Sequence, residues 1–347
     1  MTDLTESEVI EVGDLDSDQW NDYAEAVGWS DGMPLMVPTE DKVTAFVETC
    51  RGDNEPFDPM PPRRVVPTLK SIAANAVMAG CKPEYFPVVV STVRALLKPD
   101  YNLHGTLATT HPCAPGVILN GSIRANLEIN CGSNCFGQGH RANATIGRAV
   151  QLTLLNIGGA KPGMMDRSTQ GSPAKYAFCF GENEEESPWE PYHVRRGFAE
   201  DDSVVTVLPC EPPHNVNDHA STTGDGILTT IAGTVSQPGS NLIYGTAPFT
   251  VALGPEHAQT IHRDGFSITD IQQKLYEDSA VAVDRVSDEN RANYENDREQ
   301  EPVNGKYYLT RSPKDIQVLV AGGPGKHSAI IPTFGFTEAI SLRIANV

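Results

Sequence analysis

The chain has 347 residues, enough for a self-supporting core, and its 39% hydrophobic, 20% charged and 7% aromatic content is an ordinary globular balance. Acidic residues outnumber basic ones 45 to 26, for a formal charge of −19, which argues against a nucleic-acid backbone or an anionic membrane as partner. The 7 dispersed cysteines suit reduced thiols rather than a disulfide framework, and the first residues lack a secretory signal's basic start and apolar stretch, so a cytoplasmic location is expected.

In chain order, residues 1–35 suggest an acidic N-terminal arm with a short helix over about 20–27 and a turn at Ser30-Asp31-Gly32. Thr39 ahead of Glu40 and Asp41, with Val43, Phe46 and Val47 following, predicts an N-capped helix over about 40–50. The segment RGDNEPFDPMPPRR is expected to be a surface loop. Leu69, Ile72, Ala73, Ala76 and Val77 recur at helical spacing until Gly80, and Pro83 opens a second helix to about 97. Both are apolar enough to pack on a sheet. The most apolar stretch, 85–97, contains Arg94 and falls short of the roughly 20 residues of a membrane span.

A strand is predicted at 116–120 and a long helix over 141–156, with Ile146, Ala149, Val150 and Leu154 on one face. Strands follow at 176–180 and 203–208, a helix at 227–235, a bent buried strand within 241–254, and helices at 255–262 and 267–276, the last capped by Ser267 and Asp270. The charged stretch 284–305 is expected to be an exposed insertion or solvated helix, and 316–321 a strand. No internal repeat is visible; Arg-Ala-Asn recurs three times in unrelated contexts. The alternation predicts an α/β fold of mixed sheets with flanking helices. Residues 36–347 would form one large unit, or two subdomains at about 36–160 and 161–347.

Chemistry-bearing residues concentrate between about 100 and 220. His104, His111, Cys113, Cys131, Cys135 and His140 offer the thiolates and imidazoles that zinc and iron prefer. The Cys131/Cys135 spacing departs from CxxC, leaving metal ligation, a redox pair and simple packed thiols open. Gly132, Asn134, Gly137 and Gly139 precede the 141–156 helix, so Asn134, Arg141 and Asn143 could receive an anion at its N-terminus.

In CEPPHNVNDH, His214 and His219 follow a strand; with His111 they make a metal-ligand set, or His214 serves as general base, against the plain alternative of solvated loop histidines. In GENEEESPWEPYH, Glu182 and His193 are the acid/base choices, the remaining acids being expected outside. The segment VLVAGGPGKHS has Val320 where a phosphate loop needs glycine and His327 where it needs serine or threonine, so no nucleotide cofactor motif is present. Lys326 and His327 could still close over an anionic substrate, or the segment is a tight structural turn.

The segments DGMPLMVPT, IAANAVMAGCKPEYFPVV, NLHGTLATTHP, RANATIGRA, ENEEESPWEPYH and AGGPGKHS, spread over residues 30–335, resemble a largely uncharacterised bacterial family associated with UGSC-motif selenoproteins. The resemblance implies that His104, His111, the Asn143-Ala144-Thr145 helix start, Glu182, His193 and the Lys326-His327 turn belong to the family pattern. Cys131 and Cys135 depart from it, which favours His and Glu as the chemical groups. It further implies a thiol or selenol redox partner.

Three functions are therefore expected in turn. The first is an enzyme acting on a small anionic substrate by hydrolysis, hydration or elimination assisted by a divalent metal, zinc or iron. The second is a thiol-dependent oxidoreductase, or its substrate-holding subunit, using Cys131 and Cys135 or Cys179 and Cys210. The third is a noncatalytic binding protein, and a homo-oligomer is expected throughout.

Overall fold

The computed structural model, which describes residues 13, 15–297 and 300–345, is an α/β protein of mixed sheets with flanking helices. Its strands are β1 (Ala114–Asn120), β2 (Cys179–Gly181), β3 (Val204–Cys210), β4 (His214–Asn217), β5 (Phe249–Leu253), β6 (Val281–Ala282), β7 (Lys306–Tyr307), β8 (Ile316–Val320), β9 (His327–Ile331) and β10 (Ile340–Arg343). Two four-stranded sheets, β10-β3-β1-β2 and β4-β9-β5-β8, account for eight of them, and β6 and β7 pair as a small ribbon.

Every residue of β1, β3, β5 and β8 is buried, and alternation along each strand explains how. Val117, Leu119, Val205 and Val207 point into one core with the helices Leu69–Met78, Phe86–Leu96 and Arg141–Thr153. Val251, Leu253, Val318 and Val320 point into a second with Gly224–Val235, Pro255–Arg263 and Ile268–Asp278. Between them, Ile118, Phe180 and Leu208 of one sheet meet Ala252, Leu319 and Ile331 of the other. The layers thus run helix, sheet, sheet, helix. Strands covered on both faces need continuous apolar runs, which is what GVIL and VVTVL supply.

The two sheets repeat one plan. In each, a parallel pair (β1 with β2, β5 with β8) is followed by an antiparallel neighbour of its first strand (β3, β9) and then by an antiparallel edge. The edges are exchanged: β4, next in chain after β3, pairs with β9, and β10, next after β9, pairs with β3. β2, β3 and β10 all belong to the sheet begun by β1, so a cut near residue 160 would divide a sheet.

Several local expectations shift. The helix from Arg141 ends at Thr153 and continues as a π turn over Leu154–Gly158. Residues 241–254 are a short helix, Asn241–Gly245, and only then β5; Ser240 caps it and Thr246 adopts φ 41° to end it. The proline-rich loop is not simply a surface feature. Its Asp53 takes both ends of the buried Arg94 guanidinium at 2.7 Å, which explains how a charge fits inside the apolar helix Phe86–Leu96. Residues 1–12 and 14 of the expected arm lie outside the described residues; within the rest, Trp20, Ala24 and Leu35 join the first core, and Asp31 holds Arg148 through two 2.8 Å bonds. In the charged stretch, Asp288–Asp297 is a helix that buries only Tyr294.

Candidate functional site

In both sheets the parallel strands end at the same edge of the molecule, the position where open α/β sheets place their ligands. The amide of Asn183, just past β2, donates to Val320 O at the end of β8 (2.8 Å), and that of Gly322 donates to Cys131 O (2.9 Å). The glycine turn after β8 lies hard against the cysteine loop: a Cβ on Gly323 would sit 1.9 Å from Ser133 Oγ. Loops from β1, β2 and β8 therefore meet, although they are far apart in sequence.

An ionic relay occupies the first sheet's side of this edge. Asn120 Nδ2, on the last residue of β1, donates to Glu182 Oε2 at 2.5 Å and Glu184 Oε1 at 2.9 Å. Glu184 also accepts from the Gly121 amide (2.8 Å) and, through Oε2, from Arg124 Nη2 (2.6 Å). Arg124 Nη1 donates to the Glu182 carbonyl and Glu185 Oε2, both at 2.9 Å, and lies 3.8 Å from Cys131 Sγ.

Glu182 and His193, singled out from the sequence, come together here, both fully buried. His193 Nδ1 is 3.8 Å from Glu184 Oε1, and Nε2 faces Glu200 O at 3.3 Å. Burial pushes the Glu182 carboxyl up to about 7; Arg195, the Tyr192 amide and Asn120 oppose it, and Glu184 adds to it. Four buried polar atoms of this cluster lack a partner: Asn120 Oδ1, Arg124 Nε, Glu182 Oε1 and His193 Nδ1.

Outside the relay, a cavity of about 590 Å³ lies between the Cys131 loop and the start of the Arg141–Thr153 helix. Lys82, Arg124, Glu128, Cys131, His140 and Arg141 line it; Arg124 is paired with Glu184 and Glu185 and Lys82 with Glu84, and its size suits a small polar molecule. All 7 cysteines are free, and Cys131 is the one not buried. Burial still raises its thiol, against the pull of Arg124. Cys135 beneath it is buried, with its thiol pushed up to about 12 by burial. The proposed anion contacts have mixed fates. Arg141 lines the cavity while donating Nε and Nη2 to Gly80 O. Asn143 pairs twice with the Asn130 backbone, at 2.8 and 2.9 Å, and so anchors the loop. Asn134 takes φ 61° and donates to Gln138 O, closing its own turn.

On the second sheet's side the polar groups are imidazoles. His219 Nε2 and His327 Nε2 lie 3.1 Å apart, and Lys326 Nζ donates to His219 O at 3.3 Å. Beneath them, buried His257 bonds Ser328 Oγ at 2.8 Å and Asp218 O at 3.1 Å; burial lowers its pKa. The Asp218 carboxylate is held down at about 2: burial pushes it up, but bonds from the Ser221 amide and the Thr230 hydroxyl outweigh that.

The metal set is not assembled as expected. His111 pairs with Glu211 at 2.8 Å, near the start of β1, and His214 stands exposed on the edge strand β4 opposite Ile330, away from the Asn217–His327 end. Among the described residues no group of three or more His, Cys, Asp or Glu side chains is placed to hold an ion. Cys179 and Cys210, the other thiol choice, are buried with thiols raised by burial. No described helix is long and apolar enough to cross a membrane.

Asn120, Arg124 and Glu184 were not anticipated. Arg124 stands in one of the three Arg-Ala-Asn segments and Asn143 in another, so two of the three carry a role at this edge. Compared with protein-family models, curated proteins and solved structures, the chain matches none.

Proposed function

We propose that the protein is an enzyme that binds a small anionic substrate in the Cys131 cavity and uses the Cys131 thiol as its reactive group. The observation that carries this reading is the coincidence, in one cavity of about 590 Å³, of the one thiol that is not buried with Lys82, Arg124 and Arg141, which outnumber the single lining carboxylate, Glu128. Cations around a concave site select anions and raise their local concentration. Burial raises the thiol, and Arg124 beside it pulls the other way, toward the thiolate. Arg124, 3.8 Å from the thiol, is itself held by Glu184, which shares the Asn120 amide with the buried Glu182 carboxyl.

The test is iodoacetamide labelling of the native protein with peptide mapping, with and without inorganic phosphate or a small dicarboxylate. The reading expects label on Cys131 and slower labelling when the anion is present. An unlabelled Cys131, or labelling indifferent to every anion, would overturn it.

A further inference from the structure

We infer that His219 and His327 form a clamp for one divalent transition-metal ion of the zinc class, separate from and independent of the Cys131 cavity. The imidazole nitrogens Nε2 of the two residues face each other at 3.1 Å. An ion at the ordinary zinc–imidazole distance of about 2.0–2.1 Å from both would subtend an angle of about 100°, between octahedral and tetrahedral values. Without an ion, one ring donates its N–H to the other at this distance; a metal would take the place of that proton between the same two nitrogens.

The Nδ1 of His327 lies 3.0 Å from Asn215 Oδ1; in the tautomer that donates Nδ1–H to this oxygen, Nε2 keeps its lone pair for a metal. A carbonyl-type acceptor behind a ligating imidazole is the usual second contact of a metal-bound histidine. The backbone is equally fixed. A Cβ on Gly254 would lie 2.1 Å from His327 O, so β5 and the start of β9 are locked together, and Lys326 holds the His219 carbonyl. His219 itself follows Asp218, whose carboxylate is engaged by Ser221 and Thr230.

Both imidazoles are exposed, and among the described residues no third His, Cys, Asp or Glu completes the set. With two protein ligands the clamp leaves at least two coordination positions for water or a substrate oxygen, one more than a catalytic zinc site with three protein ligands. It takes borderline metals such as Zn²⁺ or Co²⁺ rather than Ca²⁺ or Mg²⁺, which require oxygen donors.

The experiment is calorimetric titration of tag-free, chelator-treated protein with Zn²⁺, and with Co²⁺ followed by its visible absorption. One ion per chain is expected, lost in both His219→Ala and His327→Ala. Asn215→Ala should weaken it by about 10- to 100-fold through the second contact. Cys131→Ser should bind as wild type, which separates this site from the thiol cavity. No stoichiometric ion in the wild type, retention in either histidine variant, or loss in Cys131→Ser would each overturn the clamp. Unchanged thermal melting of the two exposed-histidine variants guards against loss through unfolding.

Discussion

The two sheets share a strand plan but end in opposite chemistries. At the first, the largely buried Arg124 is held by Glu184, the exposed Glu185 and the Glu182 carbonyl while it borders the Cys131 cavity. At the second, His219 and His327 stand in solvent, and only His257 and Asp218 beneath them are enclosed. One backbone arrangement thus supports a rigid ionic wall on one side and an accessible imidazole pair on the other. The loops, not the sheets, decide which.

The largest expected effect breaks the first side. Arg124→Met leaves Glu184 beside the buried Glu182 without its cation and should cost about 3–5 kcal/mol in denaturant unfolding. A loss under 1 kcal/mol would mean the relay is solvated. Next comes Glu182. Its folded pKa of about 7 stands above the ordinary 4.5, so its contribution is fully present below about 4.5 and is lost as pH rises through about 7. That difference corresponds to about 3 kcal/mol. Wild-type stability relative to Glu182→Gln should fall across this window, and equal pH profiles of the two proteins would contradict the buried carboxyl. The smallest effect sharpens the contrast: His219→Ala should change stability by no more than about 0.5 kcal/mol.

Local signals were legible wherever the physics is local. The Ser267–Asp270 capping box is formed, Gly80 takes φ 86° just beyond the first apolar helix, and the apolar runs became doubly covered strands. Glu182 and His193, which the structure brings to one buried cluster, were singled out because a carboxylate and an imidazole near an anchored aromatic segment stand out by residue type. Asn120, Arg124 and Glu184 were not, because their roles come from pairings about 60 residues apart in sequence. Nothing near Arg124 in the chain distinguishes it from an exposed arginine. The repeated plan was invisible for a similar reason: what repeats is the direction and order of strands, which different apolar residues satisfy equally well. The histidines misled in the other direction, since His111, His214 and His219 look alike in sequence but lie with Glu211, in solvent and against His327 respectively.

The account rests most heavily on the cation-lined cavity around Cys131, and the direct measurement is the rate of Cys131 alkylation by anionic iodoacetate relative to neutral iodoacetamide. Divided by the same ratio for a free thiol, it should exceed one, fall in Lys82→Gln and fall with added salt, because the selectivity is electrostatic. Both rates should keep rising above the pH range of an ordinary cysteine, since burial raises this thiol. A normalised ratio at or below one, unaffected by Lys82→Gln, would contradict an anion-selecting thiol site.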